Sequence, residues 1–208
     1  MADSAPEITR LVLGPLQTNC YLVRCPDMGV ALVIDPADEA DRILEEARTR
    51  AARVETILLT HAHPDHIAGL PALRAATGAR VLLHRLDVQM LRQYGRMYGI
   101  QPDQLAAFLP DVELAGGEKI QVGSLAGTII ATPGHTPGGV TLRIGDHLFT
   151  GDTLFNLGVG RVDLPGGSLD ALLQSIQHLF TLPEDCTVYP GHGPSTTIGH
   201  EKRDNPYV

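Results

Sequence analysis

A mixed α/β fold is predicted by two features of the sequence. Short apolar runs of strand length alternate with longer stretches of helical periodicity, and no low-complexity tract or linker interrupts them. Composition agrees, because 208 residues with 43% hydrophobic and 19% charged content are ordinary for one globular domain. A single domain spanning residues 1–208 is therefore expected.

Three strands open the chain: ITRLVLGP (8–15), NCYLVRC (19–25) and VALVID (30–35), with PDMG (26–29) turning between the last two. A helix follows over ADEADRILEEARTRAA (37–52), where Ala40, Ile43, Leu44, Ala47 and Ala51 recur at helical spacing and Asp38 is placed to cap the start. VETILLT (54–60) is a strand, IAGLPALRAATG (67–78) a helix stopped by Gly78, and ARVLLH (79–84) a strand. Residues 85–110 read as irregular and partly helical. KIQVG (119–123), LAGTIIAT (125–132), VTLRIG (140–145) and HLFTG (147–151) are strands, with Gly145-Asp146 a hairpin signal. SLDALLQSIQHLF (168–180) is a helix capped by Ser168, with Leu172, Leu173, Ile176, Leu179 and Phe180 on its apolar face. TVYPG (187–191) closes the series as a strand.

The formal net charge of −8 argues against nucleic acid or an anionic membrane as partner, since a basic face supplies most of that affinity. The basic residues are scattered, and only Lys119 and Lys202 are lysine. The first residues show no charged segment followed by an apolar one, and no apolar run approaches the ~18 residues of a membrane span. A soluble, cytoplasmic protein is expected. Cys20, Cys25 and Cys186 form no C-x-x-C pair and read as reduced thiols.

Chemistry concentrates where strands end. TILLT runs into HAHPDH (61–66), TIIAT into PGHTPG, HLFT into GDT and CTVY into PGHGP, so four strands lead into turns carrying His or Asp. In extended backbone, residues two apart point the same way, which lets His61 and His63 grip one ion. Pro64 suits the first position of a helix and would swing Asp65 and His66 toward a neighbouring point. His61, His63, Asp65, His66, His135, Asp152 and His192 exceed the three protein ligands and water of one catalytic zinc, so two ions are expected. Asp152 has two oxygens and is the natural shared ligand. One group is then His61, His63, His135 and Asp152, and the other Asp65, His66, His192 and Asp152. His84, His147, His178 and His200 lack such context and read as structural, with His84 nearest the cleft. A non-catalytic structural site is the weaker reading, because such sites are typically cysteine-rich and closed.

The run THAHPDH, TPGHTPGG, FTGDTLF and YPGHGP resembles the metallo-β-lactamase superfamily over nearly the entire chain. Within it, GPLQTNCYLV, VIDPAD, GVGRVDLPGG and PGHGPSTTIGHEKRDNP resemble the short form of hydroxyacylglutathione hydrolase, the glyoxalase II group. The resemblance implies an αβ/βα four-layer sandwich with a dinuclear site at one edge, held by the seven residues above. It implies hydrolysis of S-D-lactoylglutathione or a related hydroxyacyl thioester by water activated as hydroxide, with Asp65 both ligand and orienting group. Zinc, iron and manganese all suit such ligands.

Full-length glyoxalase II carries a C-terminal helical domain that holds much of its glutathione site, whereas sixteen residues follow His192 here. Substrate contacts are therefore expected from two loops of the core. One is 85–110, with Met90, Tyr94, Met97, Tyr98 and Phe108, for which core packing is an equal reading. The other is 158–167, where Arg161 reads as an ion pair with Asp163. True β-lactamases of the superfamily lack a bridging aspartate at the position of Asp152, which disfavours lactam hydrolysis. Persulfide dioxygenases share the pattern of Gly160, Arg161 and Asp163. In that alternative, a single iron is carried by positions matching His61, His135 and Asp152.

Overall fold

The computed structural model describes residues 5–208. Strands β1 (Glu7–Leu13), β2 (Thr18–Cys25) and β3 (Val30–Ile34) form an antiparallel meander. Helix α1 (Ala40–Thr49) then crosses to β4 (Arg53–Leu58), which pairs parallel to β3. The short α2 (Pro64–Ile67) and α3 (Leu70–Thr77) lead to β5 (Arg80–His84), and α4 (Arg85–Tyr94) leads to β6 (Val112–Leu114). These strands form one six-stranded sheet in sequence order, parallel from β3 onward.

The second sheet starts with β7 (Lys119–Val122), β8 (Leu125–Ala131), β9 (Val140–Ile144) and β10 (His147–Gly151), joined antiparallel. A small hairpin of β11 (Leu154–Phe155) and β12 (Gly158–Val159) precedes α5 (Leu169–Leu179). Then β13 (Thr187–Pro190) pairs parallel to β10, β14 (Thr196–Thr197) takes the sheet edge, and α6 (Ile198–Asp204) ends the fold.

Strand alternation produces the layers. On β2, Cys20 and Leu22 pack with Ile43, Leu70, Leu73 and Leu91 of the helices, while Tyr21, Val23 and Cys25 pack with Ile129, Leu142 and Phe149 of the second sheet. A strand buried on both faces reads as an almost continuous apolar run, which NCYLVRC is. Beyond the second sheet, Leu148 and Val188 meet Leu172, Ile176 and Leu179 of α5. The order is helices, sheet, sheet, helix: the expected αβ/βα four-layer sandwich. The three cysteines are buried free thiols.

Several local expectations change. Asp38 does not cap α1: the helix begins after Glu39, whose φ is 45°, and the Asp38 carboxylate accepts the Glu39 N–H at 2.7 Å. The helix expected over 67–78 is broken at Gly69, because Pro71 lacks the N–H that would continue it; the Gly69 N–H bonds Pro36 O at 2.9 Å instead. Within the stretch expected to be partly helical, residues 85–94 form a regular helix, with His84 Nδ1 accepting the Leu86 N–H at 3.3 Å. Ser168 caps α5 as expected, accepting the Ala171 N–H at 3.3 Å.

Candidate metal centre

The site begins at the ends of adjacent parallel strands. Just past β3, Asp35 adopts a left-handed conformation (φ 50°) that is uncommon for a residue with a side chain. This aims its buried carboxylate at the turn after β4, where it accepts the Thr60 N–H (2.7 Å), the Thr60 hydroxyl (2.6 Å) and His66 Nδ1–H (2.9 Å). His61 Nδ1–H then donates to Thr60 Oγ1 at 3.1 Å. His135 Nδ1–H donates to the Arg161 carbonyl at 2.6 Å. Each bond occupies Nδ1 and turns Nε2 of His61, His66 and His135 into the site.

All seven residues gather at this edge. Ligand-type atoms of His61, His63 and His135 lie within 4.8 Å of one another, and so do those of Asp65, His66 and His192. In the first group His63 Nδ1 faces His135 Nε2 at 2.8 Å. In the second, Asp65 Oδ2 is 3.3 Å from His192 Nε2 and 3.6 Å from His66 Nε2. Asp152 lies between them, with Oδ1 3.3 Å from His66 Nε2 and Oδ2 3.5 Å from His135 Nε2 and 3.7 Å from His192 Nε2. His84, His147, His178 and His200 stay outside both groups. His147 contacts the Tyr189 hydroxyl at 3.2 Å, and His200 Nδ1 contacts Asp204 at 3.1 Å.

The donor set suits a cation. His61 Nε2, His66 Nε2, Asp152 Oδ1 and His63 Nε2 are buried with no hydrogen-bond partner among the described residues, a condition that costs about 1–3 kcal/mol per group. Burial lowers the pKa of His61 well below the ordinary value and that of His63 to about 4, so both rings are neutral at pH 7 and present lone pairs. Burial also opposes charge on Asp65, yet the neighbouring His192 and His66 hold its carboxyl below the usual range. Mixed imidazole and carboxylate donors fit a divalent ion.

Residues not foreseen support this geometry. Thr18 Oγ1 donates to Asp65 Oδ2 at 3.0 Å. Asn19 Nδ2 donates to the carbonyls of Pro190 and Gly193, both at 2.9 Å, and so ties the start of β2 to the loop carrying His192. Asp35 and Asp87 brace the turn after β4, Asp87 through the Ala62 N–H at 2.9 Å.

The two substrate-loop candidates divide. Met90 is buried, and Tyr94 and Phe108 pack on the helical side of the first sheet, which is core packing. Tyr98 packs on that side too and also sets its ring perpendicular to His63, centroids 5.7 Å apart, while Met97 is exposed. Arg161 makes the expected pair with Asp163 through two contacts of 2.7 Å, which lowers the Asp163 pKa to about 2. Both side chains are over 60% exposed, and His135 is held by the Arg161 backbone. Arg161→Ala should therefore leave the thermal midpoint unchanged, as measured by calorimetry with and without metal.

The family model for the metallo-beta-lactamase superfamily matches residues 13–192. The chain belongs to the metallo-beta-lactamase superfamily. Among relatives in that superfamily, hydroxyacylglutathione hydrolase GloC of Haemophilus influenzae is 34% identical over 92% of this chain and 93% of that protein. The crystal structure of BLEG-1 B3 metallo-beta-lactamase superposes with a TM-score of 0.87 at 35% identity, covering 97% of this chain and 99% of the other. TTHA1623 in a di-iron-bound form gives 0.83 at 37% identity, over 96% and 100%. ETHE1 from Myxococcus xanthus gives 0.81 at 32% identity, over 96% and 83%. No helix among the described residues is long and apolar enough to cross a membrane.

Proposed function

We propose that this superfamily member is a dinuclear metal-dependent thioester hydrolase acting on S-D-lactoylglutathione or a related hydroxyacyl thioester, with residues 1–208 as one catalytic domain. The observation that carries it is the Asp152 carboxylate, set between two groups of three ligand-type residues and within 3.7 Å of a histidine in each. His61, His63 and His135 would hold one ion and Asp65, His66 and His192 the other. Two divalent ions supply Lewis acidity and bring the pKa of water toward neutrality. The name of the GloC relative and the di-iron form of TTHA1623 support this reading.

The chain's own residues do the rest. Asp65, restrained by Thr18, presents a carboxylate that accepts a hydrogen bond from the attacking water and so orients it. The leaving thiolate, with a parent pKa of about 8.5, needs little help from a general acid. Beside Asp65 lies a cavity of about 360 Å³ lined by Leu13, Pro15, Leu16, Pro64 and Ala68. Its charged lining residues are Asp38 and Asp65, so it suits an uncharged acyl group better than the carboxylates of glutathione.

Freshly purified, metal-supplemented protein should contain about two divalent ions per chain by elemental analysis. It should cleave S-D-lactoylglutathione, and a strong chelator should abolish that turnover. Saturation at one ion would sink the dinuclear reading. Absence of turnover on several thiol carriers would remove the thioesterase reading, with a β-lactam run alongside because of the BLEG-1 likeness. The ETHE1 likeness favours the second reading, a mononuclear iron persulfide dioxygenase. Oxygen consumption with glutathione persulfide outpacing every thioester would establish it instead.

A further inference from the structure

We infer that Asp87 is a positioning residue for the His61, His63 and His135 group alone, whereas Asp35 reaches both groups, His66 directly and His61 through Thr60. Strand β4 lies between β3 and β5, with Ile34, Leu58 and Leu82 in register across the three. Each neighbour sends one buried carboxylate to the turn after β4: Asp35 just past β3, and Asp87 from the first turn of α4 just past β5. Asp35 grips Thr60 and His66, as described. Asp87 has no solvent exposure, and its oxygens divide between two loops, Oδ2 accepting the Ala62 N–H at 2.9 Å and Oδ1 the Gly138 N–H at 2.7 Å. Ala62 sits between His61 and His63, and Gly138 follows His135 by three residues. One carboxylate thus ties together the two loops that deliver all three histidines of that group.

The surrounding fit is close. A Cβ on Gly138 would lie 2.6 Å from Asp87 Oδ1 and 2.8 Å from His84 Nδ1, so glycine alone lets the loop come this near. His84, by capping α4, fixes the turn from which Asp87 projects. A buried carboxylate is costly unless both oxygens are satisfied, and here both face backbone donors. Asparagine keeps the size of the side chain, yet must turn an NH2 toward one of those N–H groups.

The inference rests on the two-group reading of the site. The test uses the full-length apo chain, titrated with Co(II) and followed by its visible absorption. His63→Ala and His192→Ala serve as references, each deleting a donor from one group. Asp87→Asn should weaken the ion of the His61, His63 and His135 group by at least ~10-fold, with the other changed by less than about threefold. Asp35→Asn, whose partners include His66 and, through Thr60, His61, should weaken both ions. Thermal melting of the apo variants reports folding, and Asp87→Glu, which keeps the charge but displaces the oxygens, replaces Asp87→Asn if that variant does not fold. Equal weakening of both ions by the Asp87 variant, or of neither, overturns the inference and leaves Asp87 as a fold-stabilising residue only. A wild type that takes up one ion refutes the dinuclear reading instead. The inference then survives only if that ion is the one lost in His63→Ala and Asp87→Asn weakens it.

Discussion

His66→Ala and His192→Ala are each expected to lower thioester kcat by at least ~10²-fold, about 2.7 kcal/mol of transition-state stabilisation. His66 is fully buried, spends Nδ1 on Asp35, and leaves Nε2 facing Asp152 and Asp65, so its loss strips the second group of its central donor. It also opens a buried hole beside Asp35. His192 is the cleaner variant, because its side chain is 29% exposed and meets the same two carboxylates from the solvent side. Circular dichroism checks that both remain folded, and residual metal is counted with the kinetics. The outcome discriminates between reactions as well as between sites. A single-iron dioxygenase relying on His61, His135 and Asp152 would treat both histidines as supporting groups, and near-full activity in both variants would argue for it.

Gly191→Ala should be nearly as damaging although it removes no donor. A Cβ there would overlap Asp152 Oδ1 and lie 2.7 Å from His66 Cε1. The backbone has little room to yield, because the Gly191 N–H bonds Gly151 O at 2.8 Å and its carbonyl accepts the Asn19 N–H at 2.7 Å. The shared carboxylate must therefore move. Expected are a loss of ~10-fold or more in metal affinity, a comparable loss of turnover, and a stability decrease of about 1–3 kcal/mol from overpacking. Isothermal titration and denaturant unfolding measure the two effects separately. Unchanged metal affinity would show that the position of Asp152 does not govern binding.

What the sequence made legible follows from range. Strands such as β2, β3, β9 and β10 were readable because burial on both faces makes them near-continuous apolar runs, and the seven candidate residues because each sits within a few positions of a strand's end. Asp35 and Asp87 were not, since what they do is decided by partners 25 to 51 residues away, most of them backbone N–H groups, which no side-chain pattern reveals. Helix α6 was missed for a related reason. It is seven residues long and held by the fully buried Glu201, which accepts the Leu157 N–H at 2.9 Å, the Thr196 hydroxyl at 2.6 Å and Asn205 Nδ2 at 2.8 Å. Its stability comes from tertiary bonds rather than apolar periodicity. The break at Gly69 needed Pro71 to be weighed against an otherwise helical pattern.

The two sheets divide the donors in a way that couples folding to occupancy. His61, His63, Asp65 and His66 follow a strand of the first sheet, whereas His135, Asp152 and His192 follow strands of the second. Neither half of the molecule can complete either group alone, so any ion bound there rivets the halves across the apolar layer of Tyr21, Leu58, Leu142 and Phe149. An ion that prefers the closed arrangement stabilises it by RT ln(1 + [M]/Kd), about 2.7 kcal/mol at a hundredfold excess over Kd. Chelation should then loosen the seam between the sheets before it disturbs the helices outside them. Amide exchange would first quicken in the loops after β8 and β13, while α1 and α3 keep the protection of the intact protein.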